Sequence, residues 1–226
     1  MTQAPDIVKK CIASVGHYAP DYTVHLITEE TLFDYVSFPD HIITRYRKRR
    51  IPFTHFSDIL RTALLVQHGG IWMDATVMLT GSLPEYVSDT SLFMYQSSVL
   101  QNLPHATSNW LIASNKGNSL LQRQLDLLYA YWQHESGLRN YFIYHIFFYL
   151  IVTHNPGAKS TFEQMPYVAN VNVHLMQKML DYTYSESLWC SIIANSNVHK
   201  LSWKHQPIHK PNNTTIYDFI LHHLHL

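Results

Sequence analysis

The chain has 226 residues, and its 16 Lys and Arg residues balance 16 Asp and Glu residues, so its formal net charge at pH 7 is zero. An aromatic content of 13% with no net charge excludes an intrinsically disordered chain, and the charge balance excludes a strongly basic nucleic-acid-binding protein. Two cysteines, Cys11 and Cys190, are too few for a disulfide framework. They are expected to be reduced thiols of a cytoplasmic protein, with a single bridge between them as the alternative.

The N-terminal part of the chain alternates short helical and strand-like patterns. The spacing predicts a helix over residues 6–14, and a segment rich in β-forming residues predicts a strand over 22–28. Thr28 is expected to cap a further helix. The basic run that follows, from Arg45 to Arg50, indicates either a peripheral contact with anionic membrane lipid or a solvated helix face.

Residues 53–79 carry the clearest pattern of the sequence. Ser57 is the expected N-cap of a helix, and Gly69 is expected to end that helix in the left-handed conformation, with Gly70 in the turn. A short apolar strand then leads to Asp74, and ligands of open α/β sheets bind at the carboxyl ends of strands. The apolar residues at helical spacing are Ile59, Leu60, Ala63, Leu64 and Val66.

The remaining chain predicts two strands followed by a mostly helical part. Strands are expected at 91–98 and 109–114, and Asn118 is expected to cap a helix that reaches Glu135. The apolar run at 141–153 is shorter than a bilayer span, so it predicts a buried core helix, with an interfacial segment as the alternative. An amphipathic segment over 214–226 ends the chain. These elements predict an α/β fold with a helical C-terminal part.

Asp58 and Arg61 are separated by three positions in the predicted helix and therefore share a face. A carboxylate beside a guanidinium can accept from and donate to the hydroxyl groups of a sugar. The alternative is a surface ion pair that contributes less than about 1 kcal/mol to stability.

Asp74 lies at the end of an apolar strand, where a carboxylate can bind a hard metal ion. Mg²⁺ and Mn²⁺ prefer carboxylate oxygens, and Mg²⁺ in proteins often combines one or two carboxylates with substrate phosphates. The alternative is an Asp that only caps the turn after the strand.

The run from His55 to Val77, HFSDILRTALLVQHGGIWMDATV, resembles the capsular polysaccharide synthesis proteins. These are glycosyltransferases with a DxD-type sugar-binding motif, related to glycosyltransferase family 32. The shared pattern is Ser-Asp-x-x-Arg, Gly-Gly, an aromatic residue and Asp-Ala-Thr. Further stretches match in register, and the resemblance covers nearly the whole chain: QAPDIVKKCIAS, HYAPDYTVHLIT, NWLIASNKGNSLLQRQLDLLYAYW, RNYFIYHIFF and VHKLSWK.

The resemblance implies a GT-A-type nucleotide-diphospho-sugar transferase sandwich with a mixed, mostly parallel sheet. A single domain over residues 1–226 would comprise a nucleotide-sugar-binding α/β part, 1–115, and a mostly helical acceptor-side part, 116–226. Members of the family begin with an Ile-Ile-Trp strand before the Ala-Pro that Ala4 and Pro5 match here. That first strand is therefore expected to be missing.

The implied reaction moves a hexose from a nucleotide-diphosphate sugar, with UDP as the expected nucleotide, to a hydroxyl of a growing capsular or exopolysaccharide glycan. The anomeric configuration would be retained, and the acceptor would be a glycan or a lipid-linked glycan; no nucleic acid is involved. The alternative is a truncated, inactive paralogue that binds a glycan or a synthase partner. The protein would be cytoplasmic, with peripheral contact at the inner face of the membrane as a further possibility.

The resemblance also assigns roles to individual residues. Thr76 stands where a second acidic residue is usual, and Asn140 stands where the family has Asp. The implied catalytic residues are Asp58, Arg61 and Asp74; the donor-binding residues are Asp58, Arg61, Gly69, Gly70, Asp74 and Lys200; the ligands of Mn²⁺ or Mg²⁺ are Asp74, Thr76 and His199; and the acceptor-side residues are Asn140, Tyr141 and His145.

Overall fold

The computed structural model describes residues 4–97, 106–208 and 213–226. Besides the α-helices, the described residues include a 3₁₀ turn (Asn172–His174) and a π-helical turn (Phe219–His223). The helices in chain order are α1 (Asp6–Tyr18), α2 (Leu32–Tyr35), α3 (Asp40–Arg47), α4 (Phe53–His68), α5 (Glu85–Ser88), α6 (Ser119–His134), α7 (Ile143–His154), α8 (Pro156–Glu163), α9 (Leu175–Met179), α10 (Glu186–Asn195) and α11 (Ile216–Asp218). The strands are β1 (Gly70–Met73), β2 (Val77–Leu79), β3 (Leu92–Gln96), β4 (Thr107–Ser114) and β5 (Val198–Lys200).

The chain forms two compact units, and each is assembled from stretches that are not consecutive in sequence. The single domain expected from the sequence, with an α/β part at 1–115 and a mostly helical part at 116–226, stays a prediction. Unit 1 comprises Met1–His25, Met73–Glu85 and Ala169–Leu226, and unit 2 comprises Leu26–Trp72 and Tyr86–Val168.

Unit 2 is organised around α4, which is buried along most of its length. It packs against α6 and β4, and α6 in turn packs against α7. Trp132 of α6 and Tyr144 of α7 are among the largest fully buried side chains. Because a fully buried large apolar side chain contributes about 1.5–3 kcal/mol, this helical layer supplies much of the stability of unit 2. The predicted core helix is thus present from Ile143 onward, whereas Tyr141 and Phe142 at the start of the apolar run are exposed.

Of the N-caps predicted for α6 and α4, the first is confirmed and the second is wrong. Asn118 caps α6 as predicted, because its side-chain oxygen accepts from the backbone N–H groups of Leu120 and Leu121. Ser57 is not the N-cap of α4, which begins one turn earlier, at Phe53. Pro52 precedes that turn with φ −58°, the value that its ring imposes and that suits entry into a helix.

The sheet of unit 2 has the order β1-β4-β3, and β3 and β4 are antiparallel. In unit 1, β2 and β5 are also antiparallel. The α/β class is confirmed. Both strand pairs whose register is described are antiparallel, so the mostly parallel sheet of a GT-A sandwich is not confirmed. The connection from Gln96 to Thr107 is too short for the crossover of about a dozen or more residues that parallel neighbours need.

The predicted strand at 22–28 is wrong, because this described segment has no strand hydrogen bonding. Its apolar side chains are turned outward: Tyr22 is 42% exposed and Val24 is 50% exposed. A preference of residues for strands acts only when a neighbouring strand is available for pairing. The prediction that Thr28 caps the next helix is also wrong, because the helix is the single turn of α2 and the residue before it is Thr31. Ser98, the last residue of the strand predicted at 91–98, lies outside the described residues.

Unit 1 packs α1 against β2, with the C-terminal π-helical turn against α1. The hydroxyl of Ser14 in α1 accepts from the backbone N–H of Leu79 at 2.9 Å, which fixes the helix to the strand. Cys11 is buried and Cys190 is exposed, and both are free thiols. Within the described ranges, none of the helices combines the length and the apolar character that a transmembrane span requires.

The turn between α4 and β1 is formed by two glycines with positive φ, as predicted. Gly69 has φ +73° and Gly70 has φ +92°, and the Gly69 N–H donates to Leu65 at 2.8 Å. The loop before α6 lies against this turn, because a Cβ atom on Gly69 would come within 2.6 Å of the backbone nitrogen of Lys116. Glycine is therefore required at position 69 by both conformation and space.

Replacing Gly69 by Ala should lower the free energy of unfolding by about 2 kcal/mol or more, because backbone strain and a backbone clash add together. Gly70→Ala is the matched control: its φ is also positive, but nothing lies within 4 Å of the added Cβ. It should cost only about 1 kcal/mol, from strain alone. Urea unfolding of both variants measures the difference, and equal losses would contradict the close approach at Gly69.

Candidate functional site

The Asp58 cluster, defined as Asp58, Arg61, Asn109 and His55, lies in unit 2. Asp58 is 8% exposed and Arg61 is 5% exposed, and their closest charged atoms, Oδ1 and Nη2, are 3.5 Å apart. The pair is therefore buried and is not the exposed ion pair that the spacing left open. A buried carboxylate needs several partners, since desolvation of an ion costs several kcal/mol.

Asn109 of β4 connects both members of the pair. Its side-chain amide donates to Asp58 Oδ1 at 2.8 Å, and its backbone carbonyl accepts from Arg61 Nη1. This strand residue was missed in the sequence, because a contact across 51 positions has no local signal. Asn109 thereby fixes the carboxylate and the guanidinium of α4 against the sheet.

The guanidinium of Arg61 is held in one orientation by its own helix. Its Nε donates to the Ser57 carbonyl at 3.1 Å and its Nη2 to the Ser57 hydroxyl at 2.9 Å. The ring of Trp72 lies 5.4 Å from the guanidinium carbon, within the range of a cation–π contact. These contacts make Arg61 a fixed positive charge beside Asp58.

His55 links the Asp58 cluster to the residues predicted for the acceptor side. Its Nδ1 is 4.0 Å from Asp58 Oδ2, and its ring meets Tyr141 edge to face at 5.8 Å. Burial lowers the pKa of His55, so the imidazole is neutral at pH 7. Tyr141 is 62% exposed and brings the cluster to the surface of the unit.

The other residues of the predicted acceptor side have different surroundings. Asn140 accepts from the backbone N–H of Phe142 at 2.8 Å and so stabilises the entry to α7. His145 is half-buried in α7, with its ring 5.6 Å from that of Tyr144. Burial raises the pKa of Tyr144, whose side chain lies close enough to Arg61 for their charges to interact. Tyr144 was missed in the sequence, where it read only as part of an apolar run.

The Asp74 cluster, defined as Asp74, Thr76 and Lys200, lies in unit 1. Asp74 directly follows β1 in the chain, and its carbonyl accepts from Val77 at 2.9 Å to close the turn before β2. Lys200 of β5 donates to the Thr76 hydroxyl, and its Nζ is 3.6 Å from Asp74 Oδ2. The side chains of Asp74 and Lys200 are 27% and 19% exposed, so a ligand can reach them.

His199 precedes Lys200 on β5, and successive side chains of a strand point to opposite faces. Its ring is fully buried, and its Nε2 is 2.9 Å from the Thr80 hydroxyl. Burial lowers the pKa of His199 to about 4, so the ring is neutral at pH 7. The structure thus joins Lys200, and not His199, to Asp74 and Thr76. Among the described residues, no three His, Cys, Asp or Glu side chains converge as a metal site.

Arg61→Met should lower the free energy of unfolding by about 3–5 kcal/mol, because it leaves the carboxylate of Asp58 buried without its cation. The double variant Asp58→Asn/Arg61→Met should recover part of this loss. Arg139→Met is the control: its ion pair with Glu135 is at the surface, with Arg139 75% exposed, and removing it should cost less than about 1 kcal/mol. Urea unfolding would contradict the buried pair if Arg61→Met and Arg139→Met lost the same stability.

The depressed pKa of His199 predicts a pH dependence of stability. The unfolded chain binds a proton at His199 near pH 6.5 and the folded chain only near pH 4, so the free energy of unfolding should fall as the pH falls through this window. At about 1.36 kcal/mol per pKa unit, the full contribution is about 3 kcal/mol.

Replacing His199 by Gln should remove this part of the pH dependence, whereas His222→Gln, which changes an exposed histidine, should leave it unchanged. Thermal unfolding of the three proteins from pH 7 to pH 4 isolates the effect. Parallel pH profiles for wild type and His199→Gln would contradict it.

Comparison with known proteins adds one finding to this geometry. No curated protein matches the chain. The model of the family described as capsular polysaccharide synthesis protein matches residues 1–220. This match includes both clusters and the run from His55 to Val77 that carries the resemblance. The chain therefore belongs to the capsular polysaccharide synthesis protein family.

Proposed function

We propose that the protein is a glycosyltransferase of capsular or exopolysaccharide biosynthesis. It moves a hexose from a nucleotide-diphosphate sugar, expected to be a UDP-sugar, to a hydroxyl of a glycan or lipid-linked glycan, with retention of the anomeric configuration. Family membership supports a role in capsule synthesis. The observation that carries the chemistry is the Asp74 cluster, where an accessible carboxylate, a hydroxyl and an ammonium group converge.

The Asp74 cluster suits a diphosphate group. A phosphate that enters beside Asp74 can pair with the ammonium of Lys200, which is a compact point charge on a flexible side chain. When the bond between the anomeric carbon and the diphosphate oxygen breaks, negative charge develops on that oxygen. The ammonium of Lys200, which lies beside Asp74 and Thr76, would stabilise the departing group there and so lower the barrier.

A divalent metal fits two of its three predicted ligands. The oxygens of Asp74 and Thr76 are of the kind that Mg²⁺ and Mn²⁺ prefer. They contact the ammonium of Lys200 in the structure, and this flexible side chain would have to turn toward the donor phosphates to admit a metal. His199 does not fit, because its ring is buried against Thr80. When bound, the metal would be held by Asp74, Thr76 and donor phosphates and would act as a Lewis acid.

The Asp58 cluster is proposed to bind the donor sugar or ribose. Its carboxylate accepts hydrogen bonds and its guanidinium donates them, and Asn109 and Ser57 hold both groups in a fixed geometry. Prior fixation of such groups reduces the entropy that substrate binding costs. Tyr141, beside His55, offers an exposed aromatic face on which an acceptor sugar can pack.

Calorimetry with UDP, with and without Mn²⁺, tests the donor site. Wild type should bind UDP in a metal-dependent manner, and Asp74→Ala should lose this binding. Asp21→Ala is the matched control, since Asp21 is an exposed carboxylate elsewhere in unit 1, and it should bind like wild type. Metal-independent UDP binding that survives in Asp74→Ala would sink the assignment of the Asp74 cluster.

Transfer assays with UDP-hexoses then separate an enzyme from a binding protein. Asp74→Asn should reduce turnover by about 100-fold or more while the circular dichroism spectrum stays that of wild type. UDP binding by wild type without turnover on any glycan acceptor would favour the inactive paralogue.

A further inference from the structure

Four consecutive cations form an exposed edge of unit 2, from the last residue of α3 into the connection to α4. This cationic edge is defined as Arg47, Lys48, Arg49 and Arg50, and all four side chains are exposed. They represent four of the 16 Lys and Arg residues of a chain with no net charge, so positive charge is concentrated here. Arg45, which begins the basic run, is only half-exposed and is not part of the edge.

The backbone holds the cationic edge in one conformation. The N–H groups of Lys48, Arg49 and Arg50 donate to carbonyls of α3 at 2.8–3.1 Å. Arg49 has φ +52°, in the left-handed region, and Ile51 is buried in the core at 3% exposure. The charges are therefore displayed by an ordered turn and not by a loose loop.

An exposed aromatic side chain lies directly beside the cations. Phe53, at the start of α4, is 62% exposed, and the guanidinium of Arg49 is 5.9 Å from the centre of its ring. Tyr46 contacts the same ring at 6.5 Å and stacks on buried Phe56 at 3.8 Å. The exposed Phe53 ring thus packs against Tyr46, which is itself stacked on Phe56. Exposure of this ring to water is unfavourable in free energy, and contact with an apolar partner would remove that cost.

A shallow cleft of about 310 Å³ adjoins the edge and offers space for a phosphate group. Its lining brings cations together with a single carboxylate, that of Asp40. Another acid, Glu29, accepts from the Tyr46 hydroxyl at 2.9 Å. The lining residues are Asp40, His41, Thr44, Arg45, Lys48 and Arg50.

We propose that the cationic edge and Phe53 bind the surface of an anionic phospholipid bilayer. The cations pair with lipid phosphates, one of which enters the cleft, and the Phe53 ring enters the interface between head groups and acyl chains. Clusters of four to eight Lys and Arg residues are attracted to anionic leaflets, and an aromatic ring adds the apolar contact that such clusters lack. A lipid surface fits better than nucleic acid, because the chain has no net charge and its run of consecutive cations is one short edge.

Vesicle co-sedimentation tests this surface without any nucleotide sugar, so the result does not depend on the proposed transferase activity. The protein should bind vesicles of phosphatidylcholine with phosphatidylglycerol and not vesicles of phosphatidylcholine alone. Each cation near an anionic surface strengthens binding by about fivefold. The quadruple variant Arg47→Gln/Lys48→Gln/Arg49→Gln/Arg50→Gln should therefore weaken binding by about 100-fold or more, and high salt should weaken wild-type binding in the same direction.

The matched control removes four exposed cations elsewhere in unit 2: Lys116→Gln/Arg123→Gln/Arg139→Gln/Lys159→Gln. It has the same net charge as the edge variant and should keep most of the binding. Phe53→Ser should also weaken binding, and this loss should persist at high salt because it is apolar in origin. Circular dichroism of each variant shows that the fold is retained.

Three results would overturn the proposal. Equal losses in the two quadruple variants would show that net charge alone is responsible. Unchanged binding in Phe53→Ser would remove the apolar contact. Tighter binding to an oligonucleotide than to anionic vesicles, with the same loss in the edge variant, would assign the surface to nucleic acid.

Discussion

The buried charge pair of Asp58 and Arg61 is the constraint on which unit 2 depends. Two ions inside a helix-packed core are tolerated only if each polar atom is satisfied, and the sequence supplies those partners from three places. Ser57 comes from the same helix, Asn109 from β4, and Trp72 from β1. The contacts of the pair therefore fix the position of α4 against the sheet, and they hold the carboxylate and the guanidinium in a rigid polar site.

Local sequence patterns predicted much of the secondary structure, but they could not predict contacts between residues far apart in the chain. The left-handed end of α4 at Gly69 and the Asn118 cap of α6 follow from residue type alone. Asn109 could not be recognised, because its importance arises only when β4 meets α4. The prediction of a strand at 22–28 was wrong for a related reason: the residues favour a strand, but no described strand pairs with this segment.

In the strand β5, two successive side chains point to opposite faces and so lie in different environments. His199 is fully buried, where it is neutral and lies beside Thr80, and Lys200 faces the partly exposed Asp74 and the buried hydroxyl of Thr76. The motif His-Lys suggested one composite ligand set, but adjacent strand residues cannot serve the same side of a sheet. The histidine supports the strand, and the lysine is the member available to chemistry.

The interleaving of unit 1 has a consequence for how the protein comes into existence. The helix α1 and the strand β2 belong to the first part of the chain, but β2 pairs with β5, more than a hundred residues later. During translation, α1 and β2 are therefore synthesised long before β5. Until β5 is made, apolar side chains such as Ile7 and Met78, which are buried in the folded protein, stay exposed to solvent. Contacts between residues so far apart in sequence form slowly. During this delay the exposed apolar side chains of the nascent chain can aggregate or bind a chaperone.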